Sequence, residues 1–240
     1  KRVDKFSFGN HLLPCLAHAF EQGRKRVING EQLPALGLNQ RFELRIGIGR
    51  ELAAINPRLQ DVSNAIEHGG GMIPAYWTRR RYGTELTIVP IEPGNGSGEI
   101  VERFDQAITD STRLVILSEI SYATGQALPL KEIVELSHAR GATVVVDGAQ
   151  TGGHIPIDAH ALGVDVYAIP AHKWLCGPEG LGMLYVRRDR IADLDPVKVS
   201  GRAAASYDFA GHFEAKQGDV TKFEVSTNST PVVAGTLVAV

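Results

Sequence analysis

The chain has 240 residues, enough for one large domain or one domain plus a fragment, and its 43% apolar and 22% charged content fits a soluble globular protein. A net charge of −2 offers no basic surface to nucleic acid or to an anionic membrane, and no apolar run approaches the ~20 residues of a membrane span. Two cysteines, Cys15 and Cys176, are too few for a disulfide framework and point to a reducing, cytoplasmic setting.

In chain order, the N-terminus KRVDKFSFGN is basic but lacks the apolar core of a secretion signal. It has no starting Met, so upstream sequence is expected. Gln40 to Ile55 is expected to be helical, with Leu44, Ile48, Leu52 and Ile55 on one face. The GIG within it is not a dinucleotide loop, because Leu52 holds the third glycine position and no strand–turn precedes it. From about Tyr82 the pattern alternates. TELTIVPIE is expected to be a strand, and IVERFDQAI a short helix with Ile100, Phe104 and Ile108 four apart. RLVILSEI is expected to be a buried strand. PLKEIVELSHARG is expected to be a helix, with Pro129 near its start and Gly141 just past its end. ATVVVDGAQ, VDVYAIP and GMLYVRR are expected to be strands. No repeat or low-complexity tract interrupts this order.

Strands alternating with helices imply an α/β fold with a mainly parallel sheet covered by helices on both faces. Ligands of such sheets sit beyond the carboxyl ends of the strands. Asp147 and Lys173 both stand at such ends, one strand–helix–strand step apart. As structural residues, Asp147 would cap the following segment and Lys173 would be a surface lysine at a loop start. As chemical residues, they form a pair with a use. A lysine amine partly withdrawn from water is nucleophilic when neutral and suits Schiff-base chemistry. An aspartate that keeps a pyridine nitrogen protonated completes what pyridoxal 5'-phosphate requires. Gln150, three residues after Asp147, offers an amide donor to the same ligand.

VVVDGAQTGG followed by AIPAHKWLCGPEGLGMLYVRR resembles the class V aminotransferase family of fold-type I pyridoxal phosphate enzymes. That family includes cysteine desulfurases, isopenicillin N epimerase-like proteins and cystine C–S lyases. FSFGNHLLP resembles its N-terminal active-site loop, RLVILSEISYATGQALPLKEI its lyase and epimerase branches, and KFEVSTNSTP its Phe-Glu-x-x-Thr segment. The resemblance implies roles at matching positions. Lys173 would carry the imine and shuttle the Cα proton. Asp147 would meet the pyridine nitrogen and Gln150 the phenolic oxygen. His68, in IEHGGG, would stack on the ring, and His172 would help hold the phosphate. Thr227 would reach the phosphate of the neighbouring subunit, implying a homodimer with its active site at the subunit interface. Tyr122 stands where desulfurases usually carry Asn, and is read either as a cofactor contact or as a core tyrosine with a satisfied hydroxyl.

The resemblance divides the chain into an active-site loop and helix over 1–30, a large cofactor domain over 31–225 and the start of a small domain over 226–240. Three departures stand out. Only Asn56 to Ile66 fill the space where the family carries a strand and a glycine/threonine turn entering the helix whose N-terminus cradles the phosphate, and no such turn appears. The small C-terminal domain, which brings the substrate-carboxylate arginine, is largely missing after Val240. Pro170 replaces a phosphate-binding Ser. A longer parent protein explains the first two; a degenerate protein without cofactor is the alternative.

The expected function is a pyridoxal phosphate enzyme acting on an amino acid, with C–S lyase or epimerase-like chemistry. Transaminase and cysteine desulfurase are the alternatives, and a non-catalytic binding protein on the same fold is the reading from another class. Cys15 and Cys176 are expected to be small buried residues rather than nucleophiles. A metal site at His154, Asp158 and His160 is rejected, because HIPID resembles the family's ordinary connector.

Overall fold

A computed structural model of the chain describes residues 59–225 and 228–240. The FSFGNHLLP loop, the Gln40–Ile55 helix, Cys15 and Thr227 lie outside the described residues.

The elements in chain order are β1 (Gln60–Asn64), α1 (Gly69–Tyr82), β2 (Glu85–Val89), α2 (Ser97–Ala107), β3 (Thr112–Ser118) and α3 (Leu130–Ala139). They continue with β4 (Thr143–Asp147), α4 (Ala159–Leu162), β5 (Val166–Pro170), β6 (Gly182–Val186), β7 (Ala204–Tyr207), β8 (Phe213–Ala215) and α5 (Thr230–Ala239). Six strands form one sheet in the order β2-β1-β3-β4-β5-β6. The first five run parallel and β6 pairs antiparallel with β5. β7 and β8 form a separate antiparallel hairpin. Among the described residues no helix is long and apolar enough to cross a membrane.

Alternation along the strands sorts the core into two faces. Val62, Val115, Leu117, Val144 and Val146 meet Ile100 and Phe104 of α2 and Ile133 and Val134 of α3. Val145, Val166 and Val186 point the other way and pack with Ile191 and Leu194 from the segment after β6. The four-residue spacing expected for α2 therefore matches its buried stripe. Gly141 follows α3 with φ 75°, a left-handed turn in which glycine is not strained.

Two elements depart from the sequence reading. A strand, β1, does fill part of the space between Asn56 and Ile66. Its sequence, QDVSN, holds a single apolar residue, yet every position is buried. Gln60 is tolerated there because its amide donates to Thr87 Oγ1 (2.6 Å) and accepts from Thr112 Oγ1 (2.6 Å) and Thr109 Oγ1 (2.9 Å). α1 was not foreseen either, since GGGMIPAYW joins three poor helix formers to a proline. Pro74 lies within α1, and Thr78 Oγ1 donates to its carbonyl at 2.9 Å.

The amino edge of the sheet is fixed by Asp165, whose side chain is fully buried. It pairs with Arg187 Nη1 (3.0 Å), Arg190 Nε (3.2 Å) and His138 Nε2 (2.9 Å), and accepts from the Val144 amide (2.8 Å). Burial alone would raise its pKa, but these partners outweigh it and hold the carboxyl below its ordinary value.

Candidate active site

The carboxyl ends of β1, β3, β4 and β5 are neighbours in the sheet, so the loops that follow them line one edge. Chain order reverses between β1 and β3, the place where open α/β sheets form their ligand crevice.

At that reversal Glu67 is buried, only 6% exposed. Its Oε1 accepts from the His68 amide (2.8 Å) and from Ser118 Oγ (2.7 Å), and its Oε2 accepts from the Ser118 amide. Burial pushes its carboxyl pKa up, the Asp147 charge adds to this, and the donors only partly offset it. Gly71 packs closely beside it: a Cβ there would come within 3.1 Å of Glu67 Oε1. Ser121 Oγ donates to the Ile66 carbonyl at 3.3 Å, a second tie between the loops after β1 and β3.

His68 is the N-cap of α1, and its Nδ1 accepts from the Gly70 amide at 3.0 Å. With Nδ1 accepting, the neutral ring carries its proton on Nε2. Tyr122 meets His68 edge-on, with ring centroids 4.8 Å apart and planes at 90°. Tyr122 is 52% exposed, which corrects the reading of it as a core tyrosine. The turn 121–126 after β3 lifts it out, closed by Gly125 N to Ser121 O and Ser121 N to Gln126 O, each 2.9 Å.

Asp147 ends β4 half-buried. One carboxylate oxygen accepts from the Ala149 amide at 2.8 Å, the capping role foreseen for it. The other has no hydrogen-bond partner among the described residues, which leaves it available to a ligand. The turn behind it is tight: a Cβ on Gly148 would lie 2.0 Å from the Tyr167 ring. Tyr167 donates its hydroxyl to Glu119, and burial pushes its phenol pKa up.

The loop after β5 is pinned by its backbone. The Ala171 amide donates to Leu181 O (3.0 Å), the Gly177 amide to Ala171 O (2.8 Å) and the Cys176 amide to Lys173 O (2.9 Å). Lys173 is half-buried and His172 exposed, and neither side chain has a polar partner among the described residues. Cys176 is exposed with φ 56°, a correction to the expectation that it is buried. The apolar run ends at Ala171, and the turn that follows faces solvent. Pro170 stays in register with Gly182 at the end of β5 and offers no N–H donor.

Gln150 Oε1 accepts from the Trp174 indole N–H at 2.9 Å, which ties the loops after β4 and β5 together. His154 stacks on Trp174, and Asp158 caps α4 by accepting from the Ala161 amide (2.8 Å). The three residues weighed as metal ligands therefore serve separate local purposes or stand apart. Glu67, Ser118 and Trp174 escaped the sequence reading. The acid directly before His68 was the one available signal for the first.

Residues 49–239 match the family described as Aminotransferase class-V. The chain belongs to this family. A probable cysteine desulfurase of Halalkalibacterium halodurans is 33% identical over 178 residues, covering 73% of this chain and 41% of that protein. The cysteine desulfurase CsdA from Escherichia coli superposes with a TM-score of 0.72 at 25% identity, over 83% of this chain and 49% of that one. The cystine C–S lyase C-DES, solved with its reaction product cysteine persulfide, gives a TM-score of 0.68 at 32% identity, over 76% and 49%. A variant of C-DES has been solved with glycine covalently linked to its PLP cofactor. The chain spans about half the length, or less, of these class V relatives. The mostly parallel sheet is the one that the resemblance to fold-type I enzymes implied.

Proposed function

We propose that this class V chain carries the cofactor site of a pyridoxal phosphate enzyme acting on a sulfur amino acid, with C–S bond elimination as the reaction. One observation carries the reading: unspent polar groups gather at adjacent strand ends. Lys173 has no polar partner, Asp147 keeps one free carboxylate oxygen, and the Gln150 Nε2 is free, all among the described residues. An amine, a carboxylate and an amide donor are the groups the cofactor's aldehyde, pyridine nitrogen and phenolic oxygen call for. The donor set therefore fits the group.

Bound pyridoxal phosphate supplies an aldehyde that captures amines and a ring that accepts electrons when a bond at Cα or Cβ breaks. The protein's part is to hold and orient. Lys173 would hold the cofactor's aldehyde carbon through its amine and, once a substrate amine had displaced it, would take and return the Cα proton. Asp147 keeps a proton on the pyridine nitrogen through a charge-assisted hydrogen bond, a contribution of about 1.5–3 kcal/mol. Gln150 donates to the phenolic oxygen. His68, held by its cap to Gly70 and met edge-on by Tyr122, would stack on the cofactor ring. His172 and the partner copy's counterpart of Thr227 would hold the phosphate, which would make the active unit a homodimer. Pro170 cannot add a side-chain donor there.

Desulfuration is the second reading, favoured by the names of the relatives. The protein is to be incubated with pyridoxal phosphate and a panel of amino acids. The expected result is a visible absorbance band, dimeric mass by light scattering, and pyruvate with sulfide or persulfide from a sulfur amino acid. Alanine would mean desulfurase, and a keto acid dependent on an acceptor would mean transaminase. Absence of any band would leave a non-catalytic binding protein.

A further inference from the structure

Trp174 is 51% exposed, so core packing does not account for its orientation. Its indole nitrogen donates to Gln150 Oε1 at 2.9 Å. Its ring stacks on His154 with centroids 4.6 Å apart and planes 17° from parallel. His154 Nδ1 lies 3.1 Å from the Gln150 carbonyl oxygen, so the contacts close a ring through Gln150, His154 and Trp174. The backbones are locked as well. Gly153 has φ 84°, and a Cβ there would lie 2.6 Å from the carbonyl carbon and oxygen of Trp174.

A glutamine amide can present either its oxygen or its NH2 group to a ligand. An indole N–H is a donor only, so it accepts no partner but the oxygen. Trp174 thereby fixes the amide in one sense, with the NH2 group left to donate. An anionic oxygen beside Lys173 requires that sense, and the flipped amide would repel it.

We propose that Trp174 is a positioning residue that orients the Gln150 amide as a donor toward the phenolic oxygen of the ligand; this rests on the pyridoxal phosphate reading above. Trp174 acts through Gln150. Its removal weakens the ligand's hold without removing any group that meets the ligand.

The test uses Trp174→Phe, which keeps the aromatic stack on His154 and deletes the donor, with Gln150→Leu and Lys173→Ala alongside. In the cofactor-free protein, the Trp174 indole proton is assigned by its loss in Trp174→Phe. Its hydrogen exchange is expected to be about fivefold faster in Gln150→Leu than in the parent, the effect of losing one ordinary hydrogen bond. With pyridoxal phosphate, Trp174→Phe is expected to raise the cofactor dissociation constant about tenfold. It is also expected to move the pH midpoint of the visible band upward, since the phenolic oxygen loses a donor that stabilises its charged form. A purely structural role would lower the melting temperature and leave that midpoint in place. Unchanged indole exchange in Gln150→Leu, or an unchanged affinity and midpoint in Trp174→Phe, overturns the proposal. A parent protein without a band, or a Lys173→Ala variant in which borohydride still fixes one pyridoxyl group to the protein at the parent's stoichiometry, overturns the pyridoxal phosphate reading itself and with it the ligand assigned to Gln150.

Discussion

At position 67 a carboxylate is buried next to another acid, Asp147, and is tolerated because two Ser118 donors and the His68 amide point at it. Asp61 has no such company. It is 6% exposed, and its Oδ2 has no partner. Burial pushes its pKa from 3.8 to about 6, with Thr84 partly offsetting the shift. The folded state thus binds this proton more tightly than the unfolded chain does. Stability from Asp61 is full below the unfolded value near 4 and is lost as pH rises through about 6. That rise corresponds to about 3 kcal/mol. Other acids titrate the opposite way, so the informative quantity is a difference. Urea unfolding of the parent and of Asp61→Asn is expected to show the parent losing about 2–3 kcal/mol relative to the variant between pH 4 and pH 7. A constant difference across that range would show that Asp61 is not held protonated by the fold.

The turn after β4 is the element on which the site depends most, because Asp147, Gln150 and the contact to Trp174 lie within it. Gly148 makes it possible by letting the Tyr167 ring approach. Gly148→Ala is expected to push the turn off β5. The expected cost is about 1–3 kcal/mol from overpacking in denaturant unfolding, with a larger proportional loss of pyridoxal phosphate binding. Equal losses in stability and binding would deny the turn its special place. This turn was legible in the sequence because Val144-Val145-Val146 ends abruptly in an acid and a glycine. Mainly apolar runs likewise revealed β3 and β5. β1 was hidden because Val62 is its one apolar residue, and the burial of Gln60 is met by threonine partners rather than by apolar surface. α1 was hidden because tertiary packing of Met72 and Ala75, not propensity, holds GGGMIPAYW in a helix. Among site residues, those placed by strand ends or by the family motifs could be read. Glu67 and Trp174 could not, since their partners lie 51 and 24 residues away and only the folded sheet joins them.

Across the described residues, the buried ion-pair cluster and the proposed site occupy opposite edges of one sheet. The amino edge is closed by Asp165 with Arg187, Arg190 and His138. Its lowered carboxyl pKa contributes stability that is present above the unfolded value near 4 and lost as pH falls through the lower folded value. The carboxyl edge instead leaves polar groups of Asp147, Gln150 and Lys173 without protein partners among the described residues, half-buried and available to a ligand. All of this turns on one amine. The most direct measurement is borohydride reduction of the protein after incubation with pyridoxal phosphate, followed by peptide mapping by mass spectrometry. The expected result is a single pyridoxyl group on Lys173, blocked when Lys173 is replaced by Ala. A label scattered over surface lysines, or none at all, would contradict the account.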